Sequence, residues 1–257
     1  MSAQPVTSPP GDAPAEAPPR RAYAEMIMGL PFSLHLRGPL HPAEPAVVSA
    51  VWESLRSADR TFSTYLPGSD VNRIDRGELT VADADPAVAE VLVLAEQARS
   101  ATAGAFDVRY VGRLDTSGIV KGWSARRAAA LIDLPGTDWY LNAGGDVLLA
   151  APATGMAWRV GVEHPADPTG LLRVLEIVDG AVATSGSVHR GRHIIDPATG
   201  SPAVGVLQAT VTGPDLVWAD VFATAIVVDG GPLRGSWRLP DGYGCIVVTD
   251  DGRVIDC

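Results

Sequence analysis

In the stretch "ADVFATA" an aspartate, Asp220, and a threonine, Thr224, stand four residues apart. On a helix that spacing stacks the two side chains on one face, one turn apart. A carboxylate and a hydroxyl so placed, joined by a backbone carbonyl from a nearby loop, suit a hard cation that prefers oxygen and keeps some of its water, namely Mg²⁺. The competing reading is structural: Asp220 caps or is solvated, and Thr224 hydrogen-bonds back to its own helix.

Four further segments combine glycine with polar side chains: "LDTSGIVKGW" (114–123), "NAGGD" (142–146), "TSGS" (184–187) and "HIIDPATG" (193–200). Glycine permits positive φ and lets backbone N–H groups approach a ligand closely, which suits phosphate. A Gly-Gly between Asn and Asp equally makes a hairpin turn. Well-defined phosphate and hydrolase motifs are missing: the chain has no GxxxxGK[ST], no GxGxxG between a strand and a helix, and no GxSxG elbow. Histidines 35, 41, 164, 189 and 193 show no HExxH spacing, so zinc is not indicated.

Helices and strands must position these groups. Apolar residues recur at helical intervals in "AEPAVVSAVWESLRS" (43–57), and "PAVAEVLVLAEQARSATAG" runs from Pro86 to a stop at Gly104. "KGWSARRAAALID" predicts a third helix with Arg126 and Arg127 on a wet face, and "LVWADVFATAIVVDG" a fourth. Pro-Gly before Ser-Asp in "TYLPGSDVNRID" predicts a turn, an N-cap and a short helical piece. "AEMIMGLPFSLHLRG" reads as a half-buried strand around Phe32, Leu34 and Leu36. Short Val/Ile/Leu runs fill the remainder, with an Asp251-Gly252 turn between two of them, which favours antiparallel pairing. The class is α+β, antiparallel sheets packed with helices in a single large domain over 23–257. Residues 1–22, rich in Pro and Ala with little to bury, are expected to be a disordered tail.

A net charge of −10 works against unselective binding to nucleic acid or an anionic membrane, so neither is an expected partner. No apolar run is long enough for a membrane span, and the N-terminus has no secretory pattern, so the expected location is cytoplasmic. Cys245 and Cys257 read as a core thiol and a terminal one.

Taken in order, "MGLPFSLHL", "FSTYLPGSDVNRID", "GAFDV", "LDTSGIVKGW", "NAGGDV", "WRVGVEHP", "AVATSGSVHRGRHIIDPATGSP" and "ATVTGPDLVWADVFATAIVV" resemble the ApbE family, the FAD:protein FMN transferases. The resemblance spans about residues 26–230, and its sharpest parts are TSG, HIIDPxTG and ADxxAT. It implies a T-fold-like arrangement and a Mg²⁺-dependent enzyme. The reaction would transfer FMN from FAD to a threonine hydroxyl of a target protein and release AMP. Hydrolysis of FAD to FMN and AMP, and a non-catalytic FAD-binding module, are the alternatives.

The resemblance also implies site residues. Asp220 and Thr224, with the carbonyl of Gly118, would hold Mg²⁺. Met28, Tyr65, Ala105, Phe106, Asp107, Asp115 and Lys121 would line the FAD site, Tyr65 by stacking on a ring and Lys121 by offsetting phosphate charge. Asn142, Gly144 and Gly145 would supply donors, Thr184 and Ser185 would fix a loop near the ligand, and Ile195 would border it. His193 is the candidate general base, since an imidazole titrates near neutrality and a threonine hydroxyl is a poor nucleophile unaided; the alternative is that it packs on the bound FAD. Compared with the family, the segment between "AFDV" and "LDTSG" is short, the lipoprotein signal of many members is missing, and Val120 replaces a common alanine.

Overall fold

A computed structural model describes residues 18–257 except 111, 187–190 and 192. Strand β1 (Arg20–Ile27) turns into β2 (Leu30–Arg37) through Met28 and Gly29, whose φ angles are 56° and 69°. Positive φ at both loop positions matches the twist of a two-residue hairpin. The predicted single strand over this region is therefore a hairpin, and its first strand begins inside the segment expected to be tail; the expectation for 1–17 lies outside the described residues.

Helix α1 (Glu44–Phe62) buries Val48, Val51, Trp52, Leu55 and Phe62 on one stripe. Ser69 caps α2 (Asp70–Asp75), its Oγ accepting from the Asn72 N–H at 3.2 Å. Asp85 does the same for α3 (Pro86–Ala101) by accepting from Ala87 N. A small ribbon, β3 (Arg109–Tyr110) with β4 (Arg113–Leu114), precedes α4 (Ser117–Ala129), which starts one turn earlier than the sequence predicts. There follow β5 (Asp138–Ala143), β6 (Asp146–Ala150), β7 (Trp158–His164), β8 (Asp167–Ile177), β9 (Asp179–Gly186) and β10 (Val206–Gly213). Helix α5 (Leu216–Asp229), β11 (Gly244–Thr249) and β12 (Val254–Asp256) close the chain.

The main sheet runs β1-β2-β5-β6-β9-β10-β11-β12, every neighbouring pair antiparallel, with β7–β8 as a separate ribbon. That is the α+β architecture expected. Helix α5 is apolar nearly all round and lies buried against β9, β10 and α4. On the opposite face Val147, Leu149, Ala151 and Trp158 form a smaller core under the ribbon.

Two expectations are corrected. Cys245 and Cys257 are joined in a disulfide, because pairing of β11 with β12 carries the last residue opposite Cys245 and leaves 5.0 Å between their Cα atoms. Arg126 is not simply solvated: its Nη1 donates to Asp215 Oδ2 at 2.7 Å, and Asp215 Oδ1 accepts from Val217 N to cap α5. One ion pair thus ties α4 to the start of α5.

Candidate active site

Helices α4 and α5 approach closely at Gly122, where an added Cβ would stand 3.0 Å from both the Leu216 carbonyl oxygen and the Val217 Cα. This contact sets Lys121 beside Asp220, Nζ to Oδ1 at 3.4 Å. Asp146, at the start of β6, reaches the same ammonium with Oδ2, while its Oδ1 accepts from the Thr184 N–H at 2.9 Å. Asp220 is 2% exposed, and its Oδ2 is buried without a hydrogen-bond partner. A buried acceptor left unmatched costs about 1–3 kcal/mol unless something binds it. One turn along α5, Thr224 Oγ1 shares a hydrogen bond of 2.9 Å with Ser185 Oγ on β9.

The electrostatics follow from burial. Desolvation pushes the Asp220 carboxyl up to about 7; the Lys121 charge pulls it down and the nearby Asp146 carboxylate pushes it up again. Burial alone would lower the Lys121 ammonium, but Asp146 and Asp220 outweigh it and hold the group above its ordinary range. Lys121 is therefore already balanced by carboxylates. Asp146, which the sequence reading quoted within "NAGGD" without a role, is the hub of the cluster.

Gly118 stands in the first turn of α4 with Phe106 packed on it: a Cβ there would meet the ring at 3.1 Å. The Ala105-Phe106-Asp107 run so abuts the helix that carries Lys121, with Asp107 Oδ1 accepting from Arg109 N. Asp115 is engaged at both oxygens, by the Ser117 N–H at 2.9 Å and the Tyr110 hydroxyl at 3.2 Å. Met28 Sδ lies 4.0 Å from Ser124 Oγ, on the same helix.

The remaining candidates lie on the neighbouring strands, turns and loops. The pleat places Asn142 opposite Val147, on the face away from α4 and α5, and its Oδ1 accepts from Gly145 N inside the β5–β6 turn. Gly144 and Gly145 form that turn with φ of 62° and 112°. Thr184 sends its hydroxyl to Thr210 on the outer face and contributes only its backbone N–H to the Asp146 cluster, whereas the next residue, Ser185, points at α5. Tyr65 is 89% exposed after α1. His193 is exposed, and among the described residues its hydrogen bonds go to the Gly191 carbonyl, from the backbone N–H at 2.9 Å and with Nδ1 at 3.0 Å. Ile195 pairs with Pro202 across the turn at Pro197, and the backbone of neighbouring Ile194 holds the buried Ala203. Among the described residues no hydrogen bond or ion pair joins His193 to Lys121, Asp146 or Asp220.

A layered α+β protein with a polar seam between two helices and the central strands β6 and β9 is thus defined, and its fold matches solved structures. The ApbE protein of Thermotoga maritima superposes with a TM-score of 0.80 at 21% identity, covering 92% of this chain and 96% of that one. The flavin transferase ApbE of Vibrio cholerae gives 0.76 at 21%, covering 93% and 97%. The ApbE family profile matches residues 28–112 and 109–235. The chain belongs to the ApbE family. Among curated relatives, it is 30% identical over 153 residues to an FAD:protein FMN transferase of Rhodobacter capsulatus, covering 55% of this chain. It is 35% identical over 140 residues to one of Treponema pallidum (strain Nichols), covering 46% of this chain. These matches span 29% and 38% of the relatives' own lengths.

Proposed function

We propose that this chain transfers FMN from FAD to a threonine hydroxyl of a target protein, with Mg²⁺ held by Asp220, Thr224 and the Gly118 carbonyl. The observation that carries this reading is the unpartnered, buried Oδ2 of Asp220 in a cluster of oxygen donors. When Asp220 is ionised, two carboxylates and one ammonium leave one net negative charge there, which favours a cation, and a bound cation in turn favours the ionised form. Among the described residues no group of three His, Cys, Asp or Glu side chains could hold a metal, so hydroxyl and carbonyl oxygens would complete the set, as a hard cation accepts. Bound there, Mg²⁺ would offset the charge that develops on the pyrophosphate.

The chain's own residues would do the remaining work. Lys121, fixed as a cation by Asp146 and Asp220, holds the Asp220 carboxylate in one orientation. The Nδ1 contact of His193 with a carbonyl selects the tautomer in which Nδ1 carries the hydrogen, leaving Nε2 as the acceptor for a hydroxyl proton. The threonine Oγ–H bond would break toward that nitrogen as a new Oγ–P bond forms to the FMN phosphorus. The P–O bond of the pyrophosphate breaks with its electron pair on AMP, so one proton and AMP are the only other products.

Incubating the protein with FAD, Mg²⁺ and a threonine-bearing acceptor, followed by mass spectrometry, tests this. AMP together with flavin-labelled acceptor is expected. AMP with free FMN alone would make the enzyme a hydrolase, and no AMP would leave a binding module.

Among the described residues no helix is long and apolar enough to cross a membrane. Disulfides persist in oxidising compartments and are rare in the cytosol, so the Cys245–Cys257 bond supports an oxidising location over the cytoplasmic one expected from sequence. Alkylation of the thiols at lysis checks this: an unmodified pair supports it, and two labelled cysteines overturn it.

A further inference from the structure

On the face of the main sheet away from α4 and α5, a cleft of about 320 Å³ opens between β1, β2, β5 and the start of β7. Its charge is unusual for a chain with a net charge of −10. Arg20 and Arg37 are direct cross-strand partners, a placement in which like charges destabilise a sheet. Both guanidinium groups lie over the same indole, that of Trp158, at 4.0 Å for Arg37 and 5.7 Å for Arg20. Arg37 is buried and satisfied by Asp138, the Met156 carbonyl and Thr154 through Nε and Nη2. Arg20 has no ion pair among the described residues. Arg159, also on the rim, stands 3.9 Å from Glu176 with both side chains mostly in solvent, a contact worth little.

The cleft wall is flat and aromatic. His35 stacks on Tyr140 with centroids 4.2 Å apart and planes 12° apart, and Tyr140 meets Trp158 edge-on at 5.0 Å. Burial lowers the His35 imidazole below its ordinary range. Positive charge without enough carboxylate, beside a wall of rings, in a volume at the small end of ligand sites (roughly 300–1,000 Å³), fits one class of ligand.

We propose that this cleft binds a small organic anion, a flat ring bearing a phosphate or carboxylate, with the anionic group on Arg20 and Arg159 and the ring against His35 and Tyr140. The proposal is independent of the reading of the α4–α5 site. An occupied cleft would bridge β1 to β7 and so clamp the β7–β8 ribbon to the main sheet.

Isothermal titration with phenyl phosphate, benzoate and inorganic phosphate tests it, on the wild-type chain and on R20Q/R159Q. Both substituted side chains are exposed, so the fold should persist, and FMN transfer should be unchanged. Wild type is expected to bind one equivalent of phenyl phosphate or benzoate, whichever head group the guanidinium pair prefers. Inorganic phosphate, lacking the ring, should bind more weakly. The double variant should lose about tenfold or more in affinity for each guanidinium removed. No heat with either aromatic anion, equal affinity for inorganic phosphate, or undiminished binding by R20Q/R159Q would each overturn the proposal.

Discussion

Ser185 and Thr224 share a hydrogen bond of 2.9 Å between their hydroxyls, joining the end of β9 to the middle of α5. The pairing aligns Thr224 one turn beyond Asp220, so the helix offers a carboxylate and a hydroxyl on one line while the strand fixes the rotation of the hydroxyl. Three outcomes would test what this arrangement does, and a fourth tests an ion pair elsewhere in the fold.

Asp220→Asn removes the negative charge from a buried carboxyl whose Oδ2 has no partner. Mg²⁺-dependent turnover of FAD should fall by about 100-fold or more, with far-UV circular dichroism unchanged. Turnover within a few-fold of wild type would remove this residue from the metal set.

His193→Ala deletes an exposed imidazole whose Nδ1 is held by Gly191. Loss of a general base is worth about 10²–10⁴-fold in rate. Transfer should therefore slow by at least about 100-fold while FAD affinity, measured by flavin fluorescence, changes little. Equal losses in both quantities would make His193 a binding residue instead.

Gly122→Ala inserts a methyl group 3.0 Å from the Leu216 carbonyl oxygen and the Val217 Cα, both backbone atoms. The two helices must part. The expected cost is about 1–3 kcal/mol in chemical denaturation, together with weaker FAD turnover as Lys121 shifts from Asp220. Full stability would show that α4 and α5 can slide apart freely.

Glu44→Gln tests a buried ion pair outside the Lys121–Asp220 cluster, that with Arg21. Burial pushes the Glu44 carboxyl up, but the hydrogen bonds from Arg21 and Tyr23 outweigh it and hold the group below its ordinary value. A depressed folded value means the stabilisation is complete above the unfolded carboxyl value of about 4.3 and disappears as pH falls through the folded one. The variant should lose about 1–3 kcal/mol at pH 7 and show a flatter stability profile below pH 5. Parallel acid curves for both proteins would count against the pair.

Local chemistry wrote much of this molecule into its sequence. Apolar spacing defined α1, α3 and α5; Ser69, Gly104 and the Asp251-Gly252 turn marked ends that the structure keeps, Gly104 with φ of 89°. The Asp220–Thr224 interval also needed only the helical period, since residues four apart share a face wherever the helix lies. Tertiary structure decided the rest, because burial and pairing between distant segments have no local signature. Only the α4–α5 crossing could place Lys121 against Asp220, and only strand order could bring Asp146 to both Lys121 and Thr184. The sheet pleat separated Asn142 and the Thr184 hydroxyl from Ser185, and the β11–β12 pairing turned two thiols into one disulfide. A sequence fixes which way each side chain alternates along its own strand, whereas the face that becomes the cleft depends on what the folded chain packs against it.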